Sequence, residues 1–250
     1  MNAGDRIKIL DVGFDNVTLE ELLRDMKRGV LVTPNVDNLM MARRNPEFKE
    51  LLNKAEYSVC DSRIIQSTSS WVGPQIKEAI PGSSLFPAFC RYHADNPDVR
   101  IFMLGGKDGV PQEAMRRVNE RAGRRMAVGA YSPPMGFEHD EAECDRIVDL
   151  IKASGATVIL VGLGNPKQLI WIDRYRDRLP EIDLFMALGA TIDFEAGNIK
   201  RAPKWIQKMR IEWLFRFILE PRRLFRRYFI DDLPYFYHLR KERNKLRNNK

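Results

Sequence analysis

Short apolar runs alternate along the chain with longer segments in which apolar residues recur every three or four positions. Ile7–Val12, Val30–Thr33, Val99–Leu104, Met126–Ala130, Val158–Val161 and Leu184–Leu188 have the length and nearly continuous apolar character of strands buried on both faces. Leu19–Arg28, Val110–Arg121 and Glu141–Ala153 carry the spacing of amphipathic helices. Strand followed by helix, repeated, predicts an α/β fold: a parallel sheet with helices on both faces.

The pattern changes at about Gly197. Ile206, Met209, Ile211, Trp213, Leu214, Phe217 and Ile218 recur among Lys208, Arg210 and Arg216, and Pro221 breaks the run. Beyond it Arg222, Arg223, Arg226 and Arg227 alternate with Leu224, Phe225, Tyr228 and Phe229. A basic face opposite an aromatic one fits a helix lying in a bilayer interface. It also fits a helical pair packed on the core with solvated arginines. The mostly polar Arg240–Lys250 reads as a frayed or disordered tail. The division that follows is an α/β core over residues 1–199 and a basic amphipathic, membrane-associating appendage over residues 200–250.

Charge sharpens that division. The chain of 250 residues has a net charge of +7, yet residues 200–250 hold 16 Lys or Arg against 5 Asp or Glu, and residues 1–199 hold 25 against 29. All the excess positive charge lies at the C-terminal end, where an anionic bilayer, ligand phosphates or nucleic acid could meet it. The lack of a recognisable nucleic-acid module and the apolar face beside the charges argue against nucleic acid. No stretch approaches the roughly 20 apolar residues that span a bilayer, and Asp5, Arg6, Lys8 and Asp11 interrupt any signal-peptide pattern. A cytoplasmic protein, peripheral on the inner face of the membrane, is expected. Cys60, Cys90 and Cys144 fit neither a disulfide framework nor a zinc ribbon, so reduced thiols are expected.

Ligands of open α/β sheets bind beyond the carboxyl ends of the strands. Three loops there have suitable chemistry: Thr33-Pro34-Asn35, Gly105-Gly106-Lys107-Asp108-Gly109 and Gly162-Leu163-Gly164-Asn165-Pro166-Lys167-Gln168. In the last, Asn165 is placed to cap a helix whose first residue is Pro166, leaving free N–H groups to cradle a diphosphate. Each loop alone also reads as a tight turn without a ligand. The histidines His93, His139 and His238 share no metal-binding spacing, and no Gly-x-Ser-x-Gly elbow is present, so carboxylates carry the search for a general base. Asp61 follows the apolar run Tyr57–Cys60 at a strand's carboxyl end. It reads equally as a base or as a helix N-cap. Asp193, in Gly189-Ala190-Thr191-Ile192-Asp193-Phe194, is a second candidate for the pocket, with a purely structural role as its alternative. No Asp-x-Asp motif occurs, so no metal is expected. Compensation of a leaving diphosphate then falls to arginines and helix N-termini.

The order of these motifs, with Ile80-Pro81-Gly82-Ser83, Lys200-Arg201-Ala202-Pro203-Lys204-Trp205, Glu212-Trp213-Leu214-Phe215-Arg216 and Glu220-Pro221-Arg222-Arg223, resembles the WecG/TagA/CpsF family, glycosyltransferase family 26. The resemblance covers about residues 7 to 230. It implies a Rossmann-like core of the GT-E type and inverting, metal-independent transfer from a UDP-sugar, with no cofactor besides that donor. It also implies a polyprenyl-diphosphate-linked acceptor and a role in bacterial surface or exopolysaccharide assembly. By motif position Asp61 resembles the catalytic base, with Thr33 and Asn35 as pocket residues beside it. Gln168 resembles the glutamine of the Pro-Lys-Gln motif near the substrate. Gly105, Gly106, Gly162, Gly164, Lys167 and Asp193 complete the expected substrate and nucleotide site. Arg216, Arg223 and Arg226 fall where family arginines reach the lipid diphosphate, a task suited to a bidentate guanidinium. Two positions depart from the family pattern. Ala79 stands where members often have Arg, and Asp61-Ser62-Arg63 where they often have Asp-Gly; Arg63 is a candidate replacement for the lost charge. A nucleotide-binding membrane adaptor without catalysis is the alternative that Ala79 raises.

Overall fold

The first apolar run does not enter the main sheet. In the computed structural model, which describes residues 6–199, 225 and 230–248, Ile7–Val12 is divided by a tight turn. β1 (Ile7–Ile9) pairs antiparallel with β2 (Val12–Phe14), and Leu10 and Asp11 both take positive φ, 49° and 65°. This corrects the single strand expected from composition. Two consecutive left-handed residues are the geometry of a two-residue hairpin turn, and neither Leu nor Asp-Val advertises it as Asn-Gly would.

After α1 (Leu19–Asp25), the chain lays down β3 (Gly29–Val32), α2 (Val36–Arg44), α3 (Pro46–Lys54), β4 (Tyr57–Ser58), α4 (Arg63–Thr68) and α5 (Gly82–Tyr92). There follow β5 (Ile101–Gly105), α6 (Val110–Ala122), β6 (Ala127–Tyr131), α7 (Glu141–Ser154), β7 (Val158–Gly162), α8 (Lys167–Tyr175), β8 (Leu184–Ala187) and α9 (Thr191–Ala196). The strands β3 to β8 form one parallel sheet in the order β4-β3-β8-β7-β5-β6. This is a Rossmann-like α/β fold.

Period-two alternation divides the core between the two faces of the sheet. Val30, Val32, Phe102, Leu104, Ile159, Val161, Phe185 and Ala187 pack with α2, α3, α7 and α8. Leu31, Ile101, Met103, Val158, Leu160, Leu184 and Met186 pack with α1, α5, α6 and α9. Helices from neighbouring strands β3 and β8 thus leave to opposite faces, which opens a crevice at the carboxyl edge between them.

The hairpin closes the outer edge of β4. Asp15 N–H donates to Ser58 C=O and Ser58 N–H donates to Asp15 Oδ2, both at 2.7 Å. Arg6 holds Asp15 at 2.8 Å and bonds the carbonyls of Ala55 and Glu56. A two-residue strand is thereby fixed in a definite register, and so is the loop that follows it.

The C-terminal end is also ordered differently from expectation. Pro234–Asn248 forms a helix, α10, that docks on the core through the fully buried Tyr235 and Leu239. Burial of each side chain contributes on the order of 2 kcal/mol. The helix therefore packs on the core through these two residues, and residues 240–248 of the segment expected to fray form its largely exposed C-terminal part.

Candidate active site

Sheet order places the loops beyond the carboxyl edge in the sequence Asp61, Thr33–Asn35, Gly189, Gly162–Lys167 and Gly105–Gly109. At about 4.8 Å per strand, the Asp61 loop lies roughly 10 Å from the Gly189 loop and roughly 19 Å from the Gly105 loop.

Asp61 is half-buried, and its backbone N–H donates to Pro34 C=O at 3.2 Å. Its Oδ2 accepts from Asn35 Nδ2 at 3.4 Å. Asn35 is the N-cap of α2: Asn35 Oδ1 accepts from Asn38 N–H, and Asn38 Oδ1 accepts from Asn35 N–H, each at 3.2 Å. With its oxygen committed to the cap, the Asn35 amide has only its NH₂ to offer Asp61. The alternative reading of Asp61 as a helix cap is not what the structure shows. Ser62 is the N-cap of α4, its Oγ accepting from Ile65 N–H at 3.4 Å, and this leaves the Asp61 carboxylate beside Asn35. Thr33, also half-buried, is the first residue after β3, in the loop that leads to Asn35.

Across the Asp61 loop, Ile80 N–H donates to Cys60 C=O at 2.6 Å. Ala79 is buried beside that bond, and Arg63 begins α4 exposed. The two positions thus flank one stretch of backbone. Cys60 is buried with its thiol bonded to Ser62 C=O. Burial above all pushes that thiol up to about 12, so it stays a neutral packing group.

The glycines form a contiguous ridge. Gly105 has φ +118°, and a Cβ there would lie 2.5 Å from Gly162 O. A Cβ on Gly162 would lie 2.8 Å from Gly189 O, and Gly106 N–H donates to Gly162 C=O at 3.3 Å. The close approach of three strand ends accounts for Gly105 and Gly162. Gly164, with φ +79° and open space around it, is left with its backbone accessible.

The remaining expected site residues have the following surroundings. The Lys167 ammonium is ion-paired with Glu138. Gln168 is buried, its Nε2 donating to Ala187 C=O at 3.2 Å, so it braces the end of β8 from beneath the loop. Asn165 does not cap α8: the helix begins at Lys167 with Pro166 at the cap position, the Asn165–Pro166 peptide is cis, and Asn165 Oδ1 accepts no hydrogen bond among the described residues. Asp193 lies half-buried in the first turn of α9, its carbonyl accepting from Asn198 N–H at 3.0 Å. Arg216, Arg223 and Arg226 lie outside the described residues. Among the described residues no helix is long and apolar enough to cross a membrane. The Ser62 cap was not anticipated, although Ser immediately before an apolar helical turn was its available signal.

A Rossmann-like sheet with a carboxylate and a glycine ridge along its carboxyl edge belongs to the class of α/β proteins that bind substrates across such a crevice. The model of the Glycosyl transferase WecG/TagA/CpsF family matches residues 7–249, and the chain belongs to that family, making it a glycosyltransferase. It is similar to the N-acetylglucosaminyldiphosphoundecaprenol N-acetyl-beta-D-mannosaminyltransferase of Bacillus spizizenii, 30% identical over 82% of this chain and 77% of that one. It is also similar to the Staphylococcus aureus protein of the same name, 27% identical over 98% of this chain and 96% of that one.

Proposed function

We propose that the protein transfers a hexose-type sugar, with inversion and without a metal, from a UDP-sugar to a polyprenyl-diphosphate-linked saccharide in bacterial surface-polymer assembly. The observation that carries this reading is the Asp61 carboxylate beside Asn35, relieved of helix capping by Ser62. Asp61 takes the proton of the acceptor hydroxyl as that oxygen attacks the anomeric carbon. The bond from that carbon to the UDP oxygen breaks, and UDP leaves with its electron pair. General-base catalysis of this kind contributes about 10²- to 10⁴-fold. Backbone N–H groups of the glycine loops and the arginines Arg216, Arg223 and Arg226 stabilise the departing diphosphate. The basic C-terminal region meets the anionic inner face of the membrane, where the lipid-linked acceptor resides. The names of the two relatives support N-acetylmannosamine as the transferred sugar and an N-acetylglucosaminyl-diphospho lipid as acceptor.

The test is UDP release by purified protein with UDP-N-acetylmannosamine and other UDP-hexoses against N-acetylglucosaminyl-diphospho lipid, with and without a chelator. Release by the wild type, insensitive to chelator and lost in Asp61→Asn, is expected. Full activity of Asp61→Asn would remove Asp61 as the base. Binding of UDP with no turnover across the donor and acceptor panel would favour the adaptor reading instead.

A further inference from the structure

The C-terminal helix is hydrogen-bonded to the helix that follows Asp61. The Tyr235 hydroxyl lies 2.7 Å from Thr68 Oγ1, both groups buried. Thr68 Oγ1 also lies 2.7 Å from Ile64 C=O, where only the hydroxyl can donate. One hydroxyl proton serves one short bond, so Thr68 donates to Ile64 and the Tyr235 O–H donates to Thr68. Burial pushes the phenol up to about 12, which keeps this donor protonated. A continuous relay therefore runs from α10 into the first turn of α4, three residues from Asp61.

α4 needs such support. It has six residues, too few to be stable alone, and its Ser62 cap spans 3.4 Å, a long and weak bond. α10 is itself anchored independently of the relay. Leu239 is fully buried, Leu10 N–H donates to Glu242 Oε2 at 3.1 Å, and the Arg243 guanidinium lies 6.0 Å from the Trp71 ring centroid. Those contacts grip the hairpin turn and the short helical turn Ser69–Trp71 that continues α4.

We propose that Tyr235 and Thr68 are positioning residues, which hold α4 and with it the Asp61 carboxylate against Asn35, so that docking of α10 is required for full turnover. The kinetic part of this proposal rests on the function proposed above; the structural part does not. Full-length Tyr235→Phe and Thr68→Val are compared with wild type and with Thr68→Ser, which keeps the hydroxyl. Hydrogen–deuterium exchange of residues 62–68 is measured alongside UDP release. In Tyr235→Phe and Thr68→Val, exchange in residues 62–68 rises while β5 and β7 stay protected. The same variants lose roughly tenfold or more in kcat, since small misplacements of a reacting group are costly, with donor KM within about twofold. Thr68→Ser retains both properties. Unchanged exchange in Tyr235→Phe overturns the coupling whatever the activity. Raised exchange with unchanged kcat overturns the positioning role. A wild type that releases no UDP defeats the functional reading, while the exchange measurement still decides whether α10 holds α4.

Discussion

Asn35 and Asp61 meet beyond the ends of the neighbouring strands β3 and β4, Nδ2 to Oδ2 at 3.4 Å, while the oxygen of the same Asn35 amide caps α2. One side chain thus joins a structural task to a chemical one. Asn35→Asp separates them, because Asp caps a helix as well as Asn does but sets a second carboxylate beside Asp61. Like charge raises the pKa of the neighbouring acid. The acid limb of the kcat–pH profile is expected to move upward by about a unit or more, so that activity falls first in weak acid, and the same repulsion lowers Tm at neutral pH by a few degrees. A profile identical to wild type would disconnect Asn35 from the base.

Neighbouring substitutions at Ser62 and Asp61 should differ in their effect on stability. Ser62→Ala removes the α4 cap and costs about 1 kcal/mol of stability. Asp61→Asn leaves the cap in place, keeps the stability, and lowers kcat by about 10²-fold or more. Thermal melts and UDP-release kinetics on the pair decide between a cap and a base at each position.

The glycine ridge makes a graded prediction. Gly105→Ala meets both a positive φ and a backbone oxygen at 2.5 Å, so it costs roughly 3 kcal/mol or more in urea unfolding. Gly164→Ala meets only its φ of +79° in open space and costs about 1–2 kcal/mol. Equal costs would show that close packing of the strand ends is unimportant.

Glu242 gives α10 a pH dependence. Burial raises its pKa most, Asp11 adds to that, and the Leu10 N–H, Arg43 and Lys245 oppose it. The folded protein thus holds this proton more tightly than the unfolded chain. The contribution favours folding in acid and is lost as pH rises from the unfolded value through the raised folded one. Glu242→Gln keeps an acceptor for Leu10 and removes the charge. It is expected to raise Tm by about 1–2 °C at neutral pH and to change little at about pH 4. A lower Tm at neutral pH would mean that the charge itself binds α10.

The sequence by itself determined what depends on near neighbours along the chain. The apolar runs from Val30 to Leu188 and the helical spacing of Val110–Arg121 and Glu141–Ala153 are local periodicities, and they became sheet strands and helices almost where expected. The charge imbalance is a count, and motif order is linear. Tertiary structure decided everything that turns on a distant partner or on one backbone angle. Ile7–Val12 has the composition of a strand, yet two positive φ values fold it into a hairpin that sets the edge of β4. Asp61 and Ser62 are adjacent, and only the conformation of the α4 start assigns the cap to one and leaves the other facing Asn35. Lys167 follows the glycine loop in sequence, and only the fold shows that its ammonium is ion-paired with Glu138. The docking of the C-terminal helix is hidden in the sequence because it depends on Tyr235, just before the polar end of the chain, reaching a residue 167 positions earlier. Such contacts arise from packing in three dimensions, which no window of sequence contains.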